Sequence, residues 1–524
     1  MTTTTATSTW EDLVTSALLG TDRRPAPDGV TSLLDAAALQ TVRRRAGLRP
    51  APASAPPEPA AHDPRPALPA PARRRLAQLL ADRSGPSGSG GRRGTTPDLT
   101  ELLPQWLAAA GLHGYRSPAS LLPALLDAAR ARTDLRPQAL AFAGPRGLWL
   151  AGLNPEWKFA LRGAVSSGGG AALPPPTDGV AVQHLWEEGL FAERVALLVS
   201  VRAAAPEAGR ALLAATWSTE RAEDRLMFLD SLRTGLSDAD EPFLEQALSD
   251  RSRNVRSTAA ELLSALPGSA LAGRMAVRAA TCVSPDRTGG DAGIVVEAPH
   301  ECDAAMQRDG VAPVPPSGRG ERSWWLGQLV ESAPLSVWSG RFGGRTPEQI
   351  TGLAVADDWG EELHAAWCRA AVRQRDASWA RALLGGPGTA SLAERAKLLA
   401  TLPEDERATW VAEFIAAHGL SEAFQLLGVC AVPWSGPLGR AVVDSLEIAR
   451  DAGSYPWSFS GVMGLAERCM DPDEASRFEV LAALPDEAEG ASPGAGGYWS
   501  EAFQRLVSTL RLRAAMLTEL AGPG

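Results

Sequence analysis

The stretch DEPFLEQALSDRSRNVRSTAAELLSALPGS, residues 240–269, predicts two short helices joined by a tight turn. Asp240 or Glu241 can cap the first helix, and Pro242 falls in its first turn, where the missing N–H costs little. In the second helix apolar residues recur at helical intervals, and Pro267-Gly268 ends the helix. These apolar residues are Val255, Ala259, Leu262, Leu263 and Leu266. One such pair leaves its apolar faces open to water, so the pattern predicts further pairs stacked against it.

Other stretches repeat this pattern at irregular intervals. Residues 357–384 predict another helical pair, with Asp376 in the turn and Trp379 in the second helix. The helix ending LLATLP (398–403) repeats LLSALP (262–267). Stacking such pairs stabilises them by roughly 25 cal/mol for each Å² of apolar surface covered. The sequence therefore predicts an all-α fold of irregularly stacked helical hairpins, with flexible Pro/Gly-rich linkers.

The second helix of the opening stretch resembles a HEAT repeat. An aspartate in the turn, a Val255-Arg256 pair, paired alanines and a leucine stripe carry the resemblance. It implies an irregular HEAT-like α-solenoid, in which Asp250 and Arg256 belong to a polar ladder that ties successive repeats together. That role is structural.

Composition shifts along the chain predict six segments. They are N-terminal helices with low-complexity basic linkers (1–97), a helical subdomain (98–163), a linker (164–180), HEAT-like repeats (181–280), an irregular excursion with one possible strand in GIVVEAP (281–320) and C-terminal helical repeats (321–524).

The bulk properties narrow the class of protein. The 524 residues carry a net charge of −10, which does not favour nonspecific binding of nucleic acid. Only Lys158 and Lys397 are lysines, and arginine use of this kind is typical of GC-rich bacterial coding rather than of nucleic-acid binding. The five cysteines are widely spaced without a C-x-x-C motif, which suits a reducing compartment. With neither a signal peptide pattern nor a long apolar run, we expect a cytoplasmic protein.

The first 97 residues form a basic segment. They contain 13 arginines and 8 acidic residues. This pattern is typical of a solvated arm, and the alternative is an arm that docks on an acidic surface. Nucleic-acid binding through Arg43–Arg45 is a weaker alternative, because no aromatic residues alternate with them.

Motifs that would indicate catalysis do not stand out. The glycine-rich SGSGGRRG (87–94) lies in a linker without a preceding strand, and phosphate-loop, H-E-x-x-H and G-x-S-x-G motifs are absent. We therefore assign no catalytic, cofactor-binding or metal-binding residue and expect a protein that is not an enzyme.

Two histidine–cysteine combinations leave a metal-handling protein, or an enzyme using the excursion, as alternatives. His364 and Cys368 lie one helical turn apart, but a zinc site needs further ligands, and an ordinary buried pair is the simpler interpretation. His300 and Cys302 lie in the excursion, where Cys282 could join them.

The most distinctive stretch is GPRGLWLAGLNPEWKF (144–159). Together with ALLGTDRR (17–24), PLSVW (334–338) and the opening stretch, it resembles a bacterial, actinobacterial-type family catalogued as domain of unknown function 5691. The resemblance implies a helical-repeat protein. It also implies a genomic neighbourhood of MoxR-type AAA ATPases, von Willebrand factor A (VWA) domain proteins and SWIM zinc-finger proteins, and hence an adaptor role in an ATPase-driven maturation or metal-loading system.

Three residues of that stretch are candidate partner contacts. Arg146 stands between two glycines, Trp149 can pack under the turn, and Trp157 follows the predicted N-cap Asn154. The alternative for Arg146 is an internal ion pair with a carboxylate. The sequence as a whole predicts a non-catalytic scaffold or adaptor for protein–protein interaction.

Overall fold

The structure, a computed structural model, describes residues 9–20, 29–46, 57–81, 97–161, 173–286, 293–385, 391–483 and 494–522. The described residues are predominantly helical, and the predicted all-α fold class is confirmed. The chain divides into two compact units, residues 1–61 and residues 62–524.

The first unit contains two described helices, α1 (Trp10–Leu19) and α2 (Gly29–Arg45), which contact each other. Thr9 and Asp12 form a capping box at the start of α1. The Arg44 guanidinium lies 4.7 Å from the centre of the Trp10 ring. Leu13 is buried, whereas Leu18 is 82% exposed.

The second unit begins with four helices around one core. They are α3 (Ala70–Ala81), α4 (Leu99–Leu112), α5 (Leu122–Ala131) and α6 (Arg136–Leu153). Leu76 of α3 and Trp106 of α4 are fully buried in this core. The predicted boundary at residue 97 therefore separates α3 from helices with which it shares a core.

The described proline-rich residues just before α3 are held by long-range contacts that their composition does not indicate. Arg65 pairs with Asp63 at 2.7 Å and donates hydrogen bonds to the carbonyl oxygens of Ala141 (2.8 Å) and Phe142 (3.2 Å). Those carbonyls lie where Gly144 interrupts α6 with a φ of 61°. Hydrogen bonds from Arg65 to a helix break far along the chain thus fix a segment that cannot bury enough surface by itself.

The remaining helices follow from residue 179. They are α7 (Gly179–Glu188), α8 (Phe191–Ala204), α9 (Pro206–Thr216), α10 (Ala222–Ser231), α11 (Glu241–Ala247), α12 (Arg253–Ser264), α13 (Ala270–Cys282), α14 (Ala304–Arg308), α15 (Glu321–Ser332), α16 (Ser336–Arg341), α17 (Pro347–Thr351), α18 (Gly360–Gln374), α19 (Ala377–Gly385), α20 (Leu392–Leu399), α21 (Glu404–His418), α22 (Leu420–Leu427), α23 (Gly436–Asp451), α24 (Ser460–Cys469), α25 (Ala475–Leu481) and α26 (Ala495–Ala521).

These helices pack in chain order. Helix α8 contacts α10, α10 contacts α12, and α12 contacts α13 and α15. The series continues from α15 to α18, from α18 to α20 and from α20 to α22, and then from α21 through α23 to α25 and α26. The two predicted helices of the opening stretch are α11 and α12, and all five apolar residues of the second are buried.

The last helix joins the two cores. Helix α26 packs on α24 and α25, and it also contacts α3 and α4. Met516 and Leu520 of α26 are buried in the core formed by α3 to α6, whereas Phe503 belongs to the core of the later helices. Tyr115 Oη donates a hydrogen bond to the Leu520 carbonyl at 2.9 Å. Helices α3 and α4 therefore pack against the end of the stack that comes last in the chain.

Several described residues of the excursion at 281–320 contribute to the main core. Strands β1 (Val283–Pro285) and β2 (Gly293–Val296) pair antiparallel, and β2 pairs parallel with β3 (Ala354–Val355). Ile294 and Val296 are buried in the main core. The strand predicted in GIVVEAP is thus present, and its burial explains the apolar run.

Candidate binding groove

An open groove of about 800 Å³ crosses the stacked helices. It is formed by the end of α10, by α12, by α18 and by α20. The lining residues are Arg233, Gly235, Leu236, Glu261, Leu262, Ala265, Leu266, Cys368, Arg369, Val372, Arg373, Gln374, Arg375, Glu394 and Lys397. A smaller cavity of about 180 Å³ shares Glu261 and Arg373 with it and continues over α15. We call the larger cavity the basic groove.

Ion pairs between helices build the walls of the basic groove. Arg233, just after α10, lies 3.0 Å from Glu261 of α12. Arg373 of α18 lies 3.2 Å from Glu331 of α15, and Arg369 also pairs with Glu331. Each pair links consecutive layers, so these arginines hold the walls in place and have part of their charge neutralised.

Two cationic side chains of the basic groove differ from these ion-paired arginines. Among the residues that the structure describes, Arg375 and Lys397 have no side-chain hydrogen bond or ion pair. Both are exposed. Their charges are therefore available to a bound molecule.

The backbone at Arg375 adds to this observation. Arg375 caps the C-terminus of α18 in the left-handed conformation, with φ 53° and ψ 41°. Glycine or asparagine usually occupies such a position, because a Cβ strains the left-handed backbone. Strained residues of this kind cluster at functional sites.

The electrostatics of the basic groove oppose those of the whole chain. Its lining holds five cationic side chains and two carboxylates, Glu261 and Glu394, whereas the chain carries a net charge of −10. Glu394 is engaged in the capping box of α20 with Ser391. Burial raises the pKa of the Cys368 thiol to about 12, so this cysteine contributes an uncharged, weakly nucleophilic group. The groove fits an acidic ligand with apolar side chains that contact Leu236 and Val372.

The predicted ladder residues Asp250 and Arg256 lie close together at the turn before α12. Asp250 pairs with Arg225 of α10, with Nε and Oδ2 2.8 Å apart. Arg256 donates to the backbone carbonyls of Asp250 (2.8 Å) and Arg251 (3.1 Å), so it stabilises the turn. One helix pair earlier, Arg194 of α8 pairs with Glu220 in the same way.

The candidate partner contacts lie in and just after α6. Arg146 is exposed and has no carboxylate partner among the described residues, so the internal ion pair considered from the sequence is not found there. Trp149 and Trp157 are half-buried, and Trp157 Nε1 donates to Asp127 at 2.9 Å. The Asn154 side chain caps the following turn, as predicted.

The histidines and cysteines considered as metal ligands lie in different surroundings. Both ring nitrogens of His364 face backbone carbonyl oxygens, those of Gly360 (2.7 Å) and Thr351 (3.0 Å). The His300 side chain is 76% exposed beside Glu297, whereas Cys282 is buried. Within the described ranges, the structure brings together no group of three or more His, Cys, Asp or Glu side chains able to hold a metal ion.

Sequence reasoning missed the basic groove, because its cations come from separate helices. Arg375 gave one local signal, an arginine directly after a helix where glycine or asparagine is usual. It also missed a buried ion pair. Arg202 and Asp240 are completely buried and 2.8 Å apart, although Asp240 had been assigned to a helix cap.

The fold and the groove define an all-α protein of stacked helices with an open, charged binding surface. The profile of a family of unknown function, DUF5691, matches residues 12–520, so the chain belongs to that family. Searches of curated proteins and of solved structures found no match. No helix in the described part of the chain is long and apolar enough to cross a membrane.

Proposed function

We propose that this protein is a non-catalytic helical-repeat scaffold or adaptor of the bacterial cytoplasm, which binds an acidic segment of a partner protein in the basic groove. The observation that carries the proposal is the charge of Arg375 and Lys397, which have no ion-pair partner in the described part of the chain, in the groove of a chain that is acidic overall. An acidic protein segment complements both the charges and the apolar floor.

The architecture supports a binding role. The groove is open, crosses several helices and is built from ion-paired walls, which suits an extended or helical segment better than a small substrate. The family resemblance supports the choice of partner, through the genomic neighbourhood that it implies. A MoxR-type AAA ATPase or a VWA-domain protein, working with a SWIM zinc-finger protein, is the proposed partner in an ATPase-driven system.

Charge reversal tests this function. We expect the double variant Arg375→Glu/Lys397→Glu to lose a partner that the wild-type protein retains on isolation from its native bacterium, with affinity reduced about tenfold or more, because like charges then face the acidic segment. Quantitative mass spectrometry of the co-purified proteins provides the measurement.

The matched control is Arg221→Glu/Arg440→Glu. Both residues are exposed, lie outside the groove lining and have no ion-pair partner among the described residues. The control should keep the partner. Equal retention by both double variants would contradict the assignment of the groove, and recovery of the wild-type protein alone would contradict the adaptor role.

A further inference from the structure

A second cavity, of about 640 Å³, lies between α24 and α26, away from the basic groove. One side is aromatic, with Trp457 and Tyr498, and the floor is the surface of α24 around Gly461 and Gly464. We call it the aromatic cleft. Trp457 is 56% exposed. Six other tryptophans are fully buried, namely Trp106, Trp186, Trp338, Trp367, Trp434 and Trp499. An exposed tryptophan in a cleft is therefore an exception in this chain that core packing does not explain.

The geometry of the rings excludes a cage for an ammonium group. The rings of Tyr455 and Trp457 are stacked, with centroids 4.1 Å apart and planes 12° apart. Tyr498 meets Trp457 edge-on, with centroids 5.3 Å apart. No space remains between the stacked rings, so the cluster presents a ridge with a perpendicular wall. A ligand has to lie across this ridge rather than enter it.

Proline-rich peptides match such a surface. A polyproline II helix is extended and pre-formed, its rings pack on tryptophan and tyrosine faces, and it leaves backbone carbonyls free to accept hydrogen bonds. Trp457 Nε1–H has no partner among the described residues and can donate to such a carbonyl. The floor offers little side-chain bulk, since a Cβ built on Gly464 would meet only the end of Arg468, at 3.9 Å.

Charge at the cleft selects among such peptides. Glu467 pairs with Arg505 at 2.8 Å, whereas Glu501 is exposed at the cleft without an ion-pair partner in the described part of the chain. A carboxylate beside the aromatic ridge favours a basic residue next to the prolines. We propose that the aromatic cleft binds a proline-rich segment of a partner protein that carries a flanking arginine or lysine. This site is independent of the basic groove.

Two variants of the full-length protein test the proposal. The probe is a fluorescent polyproline peptide with an arginine at each end, and the reference peptide replaces the prolines by glycine and serine. We expect the wild-type protein to bind the probe and not the reference in a fluorescence anisotropy titration. Trp457→Ala should weaken binding about tenfold, as removal of an aromatic anchor does.

Gly464→Leu separates binding from folding. A leucine at this helical position fills the floor of the cleft and raises helix propensity, so the variant should fold at least as stably as the wild type and lose binding about tenfold or more. Gly273→Leu is its matched control, because Gly273 is an exposed helical glycine of α13 with nothing within 4 Å of a built Cβ. The control should bind within about twofold of the wild type.

Three results would overturn the proposal. They are no binding of the probe by the wild-type protein, equal binding of the probe and the reference, and binding that Trp457→Ala and Gly464→Leu leave unchanged. A glucose oligosaccharide that binds in place of the peptide would reassign the aromatic cleft to carbohydrate. None of these results depends on the basic groove.

Discussion

Arg375 adopts a backbone conformation in which glycine would be more stable. Its φ of 53° at the end of α18 is accompanied by a side chain that is exposed in the basic groove and has no described partner. Replacing a residue in the left-handed region by glycine removes the Cβ clash, which costs about 1–2 kcal/mol. The local strain thus coincides with the available charge.

We therefore expect a glycine at this position to change stability and partner binding in opposite directions. Arg375→Gly should raise the free energy of unfolding by about 1 kcal/mol and should weaken partner binding. Urea denaturation and the co-purification assay measure the two effects. A variant that is destabilised, or one that keeps full binding, would contradict the role given to this residue.

The buried pair Arg202–Asp240 predicts a large loss of stability on mutation. Arg202 donates to both carboxylate oxygens and to the carbonyls of Thr234, Pro206 and Gly235. Arg202→Leu leaves a buried carboxylate with reduced compensation, and we expect a loss of about 3–5 kcal/mol. Denaturation curves provide the measurement.

The control for this variant is Arg381→Leu. Arg381 pairs with Glu406 at 2.7 Å, but both side chains are almost half exposed. An exposed pair contributes less than about 1 kcal/mol, so the control should resemble the wild type. Similar losses in the two variants would mean that burial does not determine the contribution of these pairs.

The buried cysteines make stability depend on alkaline pH. Burial raises the pKa of Cys368 to about 12 from an ordinary 9.0. Above pH 9 the unfolded chain loses this proton and the folded chain keeps it, so the contribution is complete below pH 9 and is lost as pH rises toward 12. Cys368→Ala should reduce the fall in unfolding free energy by up to about 1.4 kcal/mol per pH unit in this range. Parallel pH profiles of the two proteins would contradict this.

At the scale of elements, apolar periodicity predicts the helices, whereas composition alone does not indicate which segments share a core. Helices α11 and α12 follow the spacing of apolar residues, which depends on local sequence alone. The proline-rich residues before α3 were assigned to a linker, because the Arg65 contacts with the end of the first half of α6 join residues far apart in sequence. Contacts between residues far apart in the chain produce no pattern in the local sequence.

The break in α6 can be tested with two glycine substitutions in the same helix. At Gly144 the φ of 61° and ψ of −159° are accessible almost only to glycine, and a Cβ there would overlap the Arg65 guanidinium. Gly144→Ala should cost about 2 kcal/mol or more. Gly152→Ala, where nothing lies within 4 Å, should instead stabilise the protein by about 0.5–1 kcal/mol. Thermal denaturation distinguishes these results, and equal effects would refute the account of the break.

At the scale of the whole second unit, one helical series carries both candidate sites. The basic groove combines residues from helices between α10 and α20, and the aromatic cleft lies between α24 and α26. The sequence predicted stacked helices, but each groove cation by itself has the pattern of an ordinary surface residue. Only the packing of α12 near α18 and α20 places these cations in one groove.

The most direct measurement is site-specific photo-crosslinking in the native bacterium. A photoreactive phenylalanine analogue replaces Ala265, an uncharged lining residue of the basic groove, in one variant and Arg440, on the exposed side of α23, in another. We predict an adduct with an acidic partner protein from position 265, which disappears when Arg375→Glu is added, and no such adduct from position 440. The same adducts from both positions, or no adduct from position 265, would contradict the central claim that the basic groove binds a partner.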